Sequence, residues 1–253
     1  MFLNSLAFVF GAAIGSFLNV CIFRLPAKLS IIKPGSRCPH CLHPVRFYDN
    51  IPIISYIFLR GKCRDCGAGI SWRYPLVELI TAVLSLLLFL KFGLTLKFFV
   101  FFIFIAVLIV ITFIDLDHQI IPDILSLPGI PIFFLAAIFL VKVPWLDALL
   151  GLLIGGGVLL TIALVYELIS KREGMGGGDI KLLAMIGGFL GWKSLLFILL
   201  FSSLFGAIVG LTLIIIKKQD MKYAVPFGPF LAAAVAAYIF WGEEFTRLLF
   251  ISY

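Results

Sequence analysis

Between Lys97 and Asp117 the chain reads KFFVFFIFIAVLIVITFIDLD. Phe98 to Ile114 carries no charge and a single hydroxyl, Thr112. As a helix rising about 1.5 Å per residue, it reaches through most of a hydrocarbon layer about 30 Å thick. Two carboxylates, Asp115 and Asp117, close it. With 97–114, similar runs at 3–23, 75–92, 124–142, 146–168, 194–216 and 224–242 make seven, and 180–192 is a shorter eighth. Hydrophobic residues make up 62% of the 253 and mean hydropathy is +1.18, more apolar surface than a soluble core hides. Backbone groups in lipid must be paired within their segment, and no ten-residue alternation indicates a barrel. The expected fold is an all-α polytopic membrane protein of about eight transmembrane helices.

Charge gives the orientation. Nine of the 20 Lys and Arg residues lie between Arg24 and Arg73. Lys171, Arg172, Lys181, Lys217, Lys218 and Lys222 bring that side to 15, against Lys91, Lys97, Lys142, Lys193 and Arg247. The basic side is expected in the cytoplasm. Topology accounts for the net +7, which leaves nucleic-acid binding without support. Met1 to Val20 has no basic residue ahead of its apolar run, unlike a signal peptide, so it is expected to stay as the first helix with the amino terminus outside.

Three regions are expected: a first transmembrane helix at 1–23, a small cytoplasmic domain at 24–74 and a membrane body at 75–253. The middle one holds Pro26, Pro34, Pro39, Pro44 and Pro52, and its apolar stretch Ile51 to Leu59 is too short to span. It also holds Cys38-Pro39-His40-Cys41 and Cys63-Arg64-Asp65-Cys66, two C-x-x-C knuckles 21 residues apart. Four thiolates at about 2.3 Å form the closed shell of a structural zinc site. Some fifty residues poor in large apolar groups need such a staple. Disulfides or a redox dithiol are the competing reading, disfavoured by a reducing cytoplasm. His40 and His43 are spare beside a complete Cys set, and Cys21 is a small apolar residue of the first helix.

Of 13 acidic residues, Glu78, Glu167, Asp115, Asp117, Asp123 and Asp179 lie at or near helix ends. Asp123, after Pro122, suits an N-cap or a helix first turn, and capping is its expected role. Asp115 and Asp117 point about 200° apart on a helix, so one site takes only one of them. Asp115, directly ending the apolar run, is the better candidate. Asp179 follows Gly174-Met175-Gly176-Gly177-Gly178, where missing side chains would let a substrate backbone approach. Two carboxylates sharing a proton can activate water with one member and protonate a peptide carbonyl with the other. No G-x-S-x-G or H-E-x-x-H motif offers another hydrolytic route.

The chain resembles the type IV prepilin peptidases, bifunctional leader peptidases and N-methyltransferases of pilins and type II secretion pseudopilins. The likeness runs through Gly15-Ser16-Phe17-Leu18-Asn19-Val20, the Cys knuckles, Tyr74-Pro75-Leu76-Val77-Glu78, Asp115-Leu116-Asp117 with Pro122-Asp123, the Gly-x-Gly-Asp ending at Asp179, and Pro226-Phe227-Gly228-Pro229. It implies an aspartyl dyad of Asp115 and Asp179 in a bacterial inner membrane, cutting after a leader Gly on the cytoplasmic side. It also implies methylation of the new amino terminus with S-adenosylmethionine, associated in the family with the small cytoplasmic domain. No glycine-rich nucleotide loop marks a methyl-donor site, and Glu78 is a candidate contributor whose other role would be to face basic loop residues. A proton- or cation-coupled transporter would place charges near the midplane and show an inverted repeat, neither of which the sequence has. A membrane thiol oxidoreductase would have its C-x-x-C pairs on the reducing side.

Overall fold

The structure, a computed structural model, describes residues 2–170, 176–217 and 225–250. Lys171, Arg172, Gly174, Met175, Lys218 and Lys222, used above for orientation and the glycine motif, lie outside the described residues. The helices are α1 (Phe2–Arg24), α2 (Ile54–Phe58), α3 (Arg73–Phe92), α4 (Leu96–His118), α5 (Asp123–Ala136), α6 (Trp145–Ser170), α7 (Gly177–Leu190), α8 (Trp192–Lys217) and α9 (Gly228–Phe250). Among the described residues extended structure is confined to two isolated bridges, Arg37 with Pro44 and Lys62 with Gly69. The chain forms two compact units, Met1–Val110 and Ile111–Tyr253, and α4 passes from one into the other.

In the first unit α1 packs along α3. Gly11 and Gly15, one helical turn apart, set that crossing. A Cβ on Gly11 would stand 2.5 Å from Ser85 Cβ, and one on Gly15 would stand 2.7 Å from Glu78 Cα. Small residues at this spacing let helix backbones touch where lipid supplies no hydrophobic drive between helices. The Ser85 hydroxyl adds a bond to the Ala7 carbonyl at 2.8 Å.

In the second unit α7 packs against both α5 and α6. Gly151 and Gly155 of α6 repeat the device: a Cβ on Gly151 would collide with the Gly187 carbonyl, and one on Gly155 with that of Leu183. Leu182 to Phe189 are all buried. The run 180–192 is therefore apolar all round because it is a core helix. At 14 residues, or about 21 Å, α7 is short for a bilayer. Among the described residues six helices are long and apolar enough to cross, and α9 adds a shorter apolar stretch, Gly228–Gly242. The protein is a multi-pass membrane protein. Pro128 and Pro131 interrupt the bonding of α5, which relaxes into a π turn at Ala137–Val141 before a left-handed Lys142 ends it.

Candidate active site

Asp115 comes from the last turn and a half of α4, Asp179 from the first turn of α7. Asp115 is buried, while Leu116 and Asp117 beside it are exposed. Its Oδ2 accepts the backbone N–H of Gly228 at 2.9 Å. That N–H opens α9, where the first amides have no partner inside the helix and favour a negative acceptor. The same Oδ2 leaves no space for a side chain, because a Cβ on Gly228 would stand 2.7 Å from it. Gly228 thus supplies a donor and a gap at one point. Sequence reasoning quoted it within Pro226-Phe227-Gly228-Pro229 and gave it no task, since its partner is 113 positions away.

Asp179 has a buried Oδ1 with no hydrogen-bond partner among the described residues. It precedes the apolar run of α7 and lies outside the six spanning helices. Burial, reinforced by the charge of Asp115, pushes its carboxyl up to about 6. A buried acceptor left open in this way is uncommon, and substrate or a proton-sharing partner would satisfy it. The glycines before Asp179 divide in role. Gly178 has Ile121 against it, 2.8 Å from where a Cβ would be, whereas Gly176 and Gly177 face open space. Only those last two leave room for an approaching backbone. Asp123 stands in the first turn of α5, whose N-cap position is taken by Pro122. It instead receives Lys181 at 2.6 Å, tying the first turn of α7 to α5. Glu167 is exposed on α6.

The four knuckle cysteines meet, with Sγ atoms all within 4.8 Å of one another. Cys38 and Cys66 sulfurs are 3.8 Å apart, and all five cysteines are free thiols. Tetrahedral ligands at about 2.3 Å from a metal stand about 3.8 Å apart, so the set fits one ion. The two knuckles are built alike. Cys38 N–H bonds the His43 carbonyl at 3.0 Å and Cys63 N–H that of Ala68 at 2.7 Å, while Leu42 and Gly67 close the turns with positive φ. Backbone donors from Cys41 and His40 pull the Cys38 thiol down to about 6, while its cluster neighbours Cys41 and Cys66 are shifted up. His40 and His43 are not part of the cluster.

Comparison with known proteins decides the family. Residues 9–92 match the bacterial peptidase A24 N-terminal domain and residues 102–211 match the type IV leader peptidase family. The prepilin leader peptidase/N-methyltransferase of Aeromonas hydrophila is 40% identical over 96% of this chain and 92% of its own. The chain belongs to the type IV leader peptidase family. Proteins of the same description from Pseudomonas putida and Pseudomonas aeruginosa are 37% and 38% identical, covering 95% and 94% of this chain and 91% and 90% of theirs. No solved structure matches. The two matched regions divide the candidate residues. The Cys cluster and Glu78 fall in the first, Asp115 and Asp179 in the second.

Proposed function

We propose that the protein is an aspartic endopeptidase and N-methyltransferase that removes the leader of type IV prepilins or type II secretion pseudopilins. The observation that carries this reading is the pairing of a buried Asp115 with Asp179, whose Oδ1 is buried and unpartnered, in a chain of the leader peptidase family. Asp115, accepting the Gly228 N–H, is the ionised member and takes a proton from water. Asp179 carries the shared proton and gives it to the scissile carbonyl. The tetrahedral species then collapses as Asp115 gives the water proton to the departing amine and Asp179 recovers its proton from the hydroxyl, releasing a leader ending in Gly and a pilin with a free amino terminus, usually Phe. The amine is methylated by S-adenosylmethionine.

The site works on the cytoplasmic side, where the basic connections lie, with the amino terminus outside. Cys38, Cys41, Cys63 and Cys66 hold a structural zinc ion that orders segment 24–74, the membrane body 75–253 carrying the peptidase. The test is to incubate the reconstituted protein with a prepilin, with and without S-adenosylmethionine, and weigh the product. Leader loss is expected in both samples and one added methyl group only with the donor. An intact prepilin would sink the reading.

A further inference from the structure

The apolar stretch 51–59 is turned inside out for a segment in water. In α2, Ile54, Ile57 and Phe58 are 51, 67 and 82% exposed, and Ile51, one turn earlier, is exposed too. Spacings of three and four put these side chains on one face of the turn. Ser55, Tyr56 and Leu59 are half-buried and line the cavity that the Cys-rich segment encloses with α1 and α3. The polar members thus look inward and the large apolar ones outward, the arrangement that hydrocarbon selects and water does not.

One bond sets the depth of this stretch. Ile53 N–H donates to Glu78 Oε2 at 2.7 Å, so Glu78 meets the loop through that amide, and the Ser16 hydroxyl bonds the same carboxylate. Glu78 is the sixth residue of α3, about 8 Å along a 20-residue helix whose length of about 30 Å matches the hydrocarbon layer. On α1 the same level lies deeper still: Gly15, against Glu78, is about 14 Å before Arg24 ends that helix. Asn19 Nδ2, donating to the Tyr74 carbonyl at 3.1 Å, and Gly11, against Ala82, keep the two helices in this register. Ile53 therefore sits deeper than the Arg24 and Arg73 ends of both spanning helices. It does so in a forced turn, with φ 63° and Ile54 N–H closing on the Pro52 carbonyl at 2.6 Å, a γ-turn of the rare, strained hand. Such a turn persists only where its surroundings hold it, and here Glu78 does.

Charge follows the same geometry. Arg60 and Lys62, both exposed, come directly after the apolar turn, and exposed Trp72 precedes Arg73 at the start of α3. The only acids of segment 24–74, Asp49 and Asp65, are paired with Arg64 and Arg46. Basic side chains and an aromatic ring at this level suit phosphate headgroups and the bilayer interface. We propose that 51–59 is a re-entrant anchor in the bilayer leaflet at the Arg24 end of α1. Ile54, Ile57 and Phe58 lie among acyl chains there, and Arg60 and Lys62 meet anionic headgroups. The Cys-rich segment is then attached to the membrane at α1, at α3 and at this turn. The third attachment keeps the Ile53 amide at Glu78 and fixes one wall of the cavity.

The test replaces Ile57, Phe58 or Tyr56 singly by p-benzoylphenylalanine in the full chain, held in vesicles of phosphatidylethanolamine and phosphatidylglycerol. After irradiation, adducts carrying one phospholipid are expected from the Ile57 and Phe58 positions, and about tenfold fewer from Tyr56, which faces the cavity. Independently, the emission that Phe58→Trp adds to that of wild type is expected to fall about threefold when the acyl chains carry bromine. Added emission that bromine leaves unchanged would put the face in water and overturn the proposal. Adducts between two copies of the chain in place of lipid adducts would give the face to a second copy and overturn it as well. Equal lipid labelling from Tyr56 would overturn the assigned face.

Discussion

The two units bury a carboxylate beside the same kind of glycine crossing and treat it in opposite ways. Glu78, at the Gly15 contact, is held by an amide and a hydroxyl, so its carboxyl is fixed in place. Asp179, on the helix that Gly151 and Gly155 clamp, has a buried oxygen with nothing bonded to it and a second carboxylate acting on it. A saturated acid is suited to fastening a loop. The pair with Asp115 is suited to passing a proton, because the open oxygen of Asp179 has no donor that must be broken first.

Replacing Asp115 or Asp179 by Asn breaks the comparison most severely. Each is expected to lower leader cleavage by about a thousandfold, within the range of about 10²–10⁴ for a lost general acid or base. Mass measurement of a reconstituted prepilin digest decides it, and near-normal cleavage by either variant removes that Asp from the dyad. Next in size is metal removal. A chelator, or Cys38→Ser, is expected to make 24–74 sensitive to protease while leaving the membrane helices intact, and zinc analysis should find one ion per wild-type chain. Wild-type protein without zinc would overturn the structural-site assignment.

Gly228→Ala sharpens the comparison at one bond. The added methyl displaces the Asp115 carboxylate, so kcat is expected to fall about ten- to a hundredfold with KM changed less than threefold. Gly206→Ala is the control, since its Cβ meets Phe230 at an ordinary 3.6 Å. Equal losses in both variants would reduce Gly228 to a packing residue.

The smallest effect concerns stability. Asp179 has a folded-state carboxyl pushed up from 3.8 to about 6, so the folded form favours its proton. That preference supports the fold fully below about 4 and is lost as pH rises through about 6. Asn cannot ionise, so Asp179→Asn is expected to gain about 1–2 kcal/mol over wild type at pH 7.5 and little at pH 4. Thermal melts at both values check the sign. A variant more stable and less active would mark Asp179 as strained for function.

Much of the site was legible because it is encoded locally. Phe98 to Ile114 announces its own helix, the C-x-x-C spacing brings thiols into one turn, and a two-residue step separates Asp115 from Asp117. The run 180–192 was harder, since periodicity cannot tell a lipid-facing helix from one packed on every side, and only the contacts of Gly151 and Gly155 separate them. Asp123 looked like a cap and is an ion-pair partner of Lys181, 58 positions on. Gly228 and Ser16 left a readable trace only as motif letters.

The amino-acid order alone determined a polytopic helical membrane protein, its basic face, four thiols spaced to hold a metal and two candidate acids. Those properties follow from hydropathy, charge and short spacings, which act within a helix or a turn. Tertiary structure alone decided that Gly228 serves Asp115, that Asp179 keeps an open oxygen, and that Glu78 takes the N–H of Ile53. Each of these depends on an atom brought from a distant part of the chain, and helices a few ångströms closer or farther apart would give the same sequence a different answer.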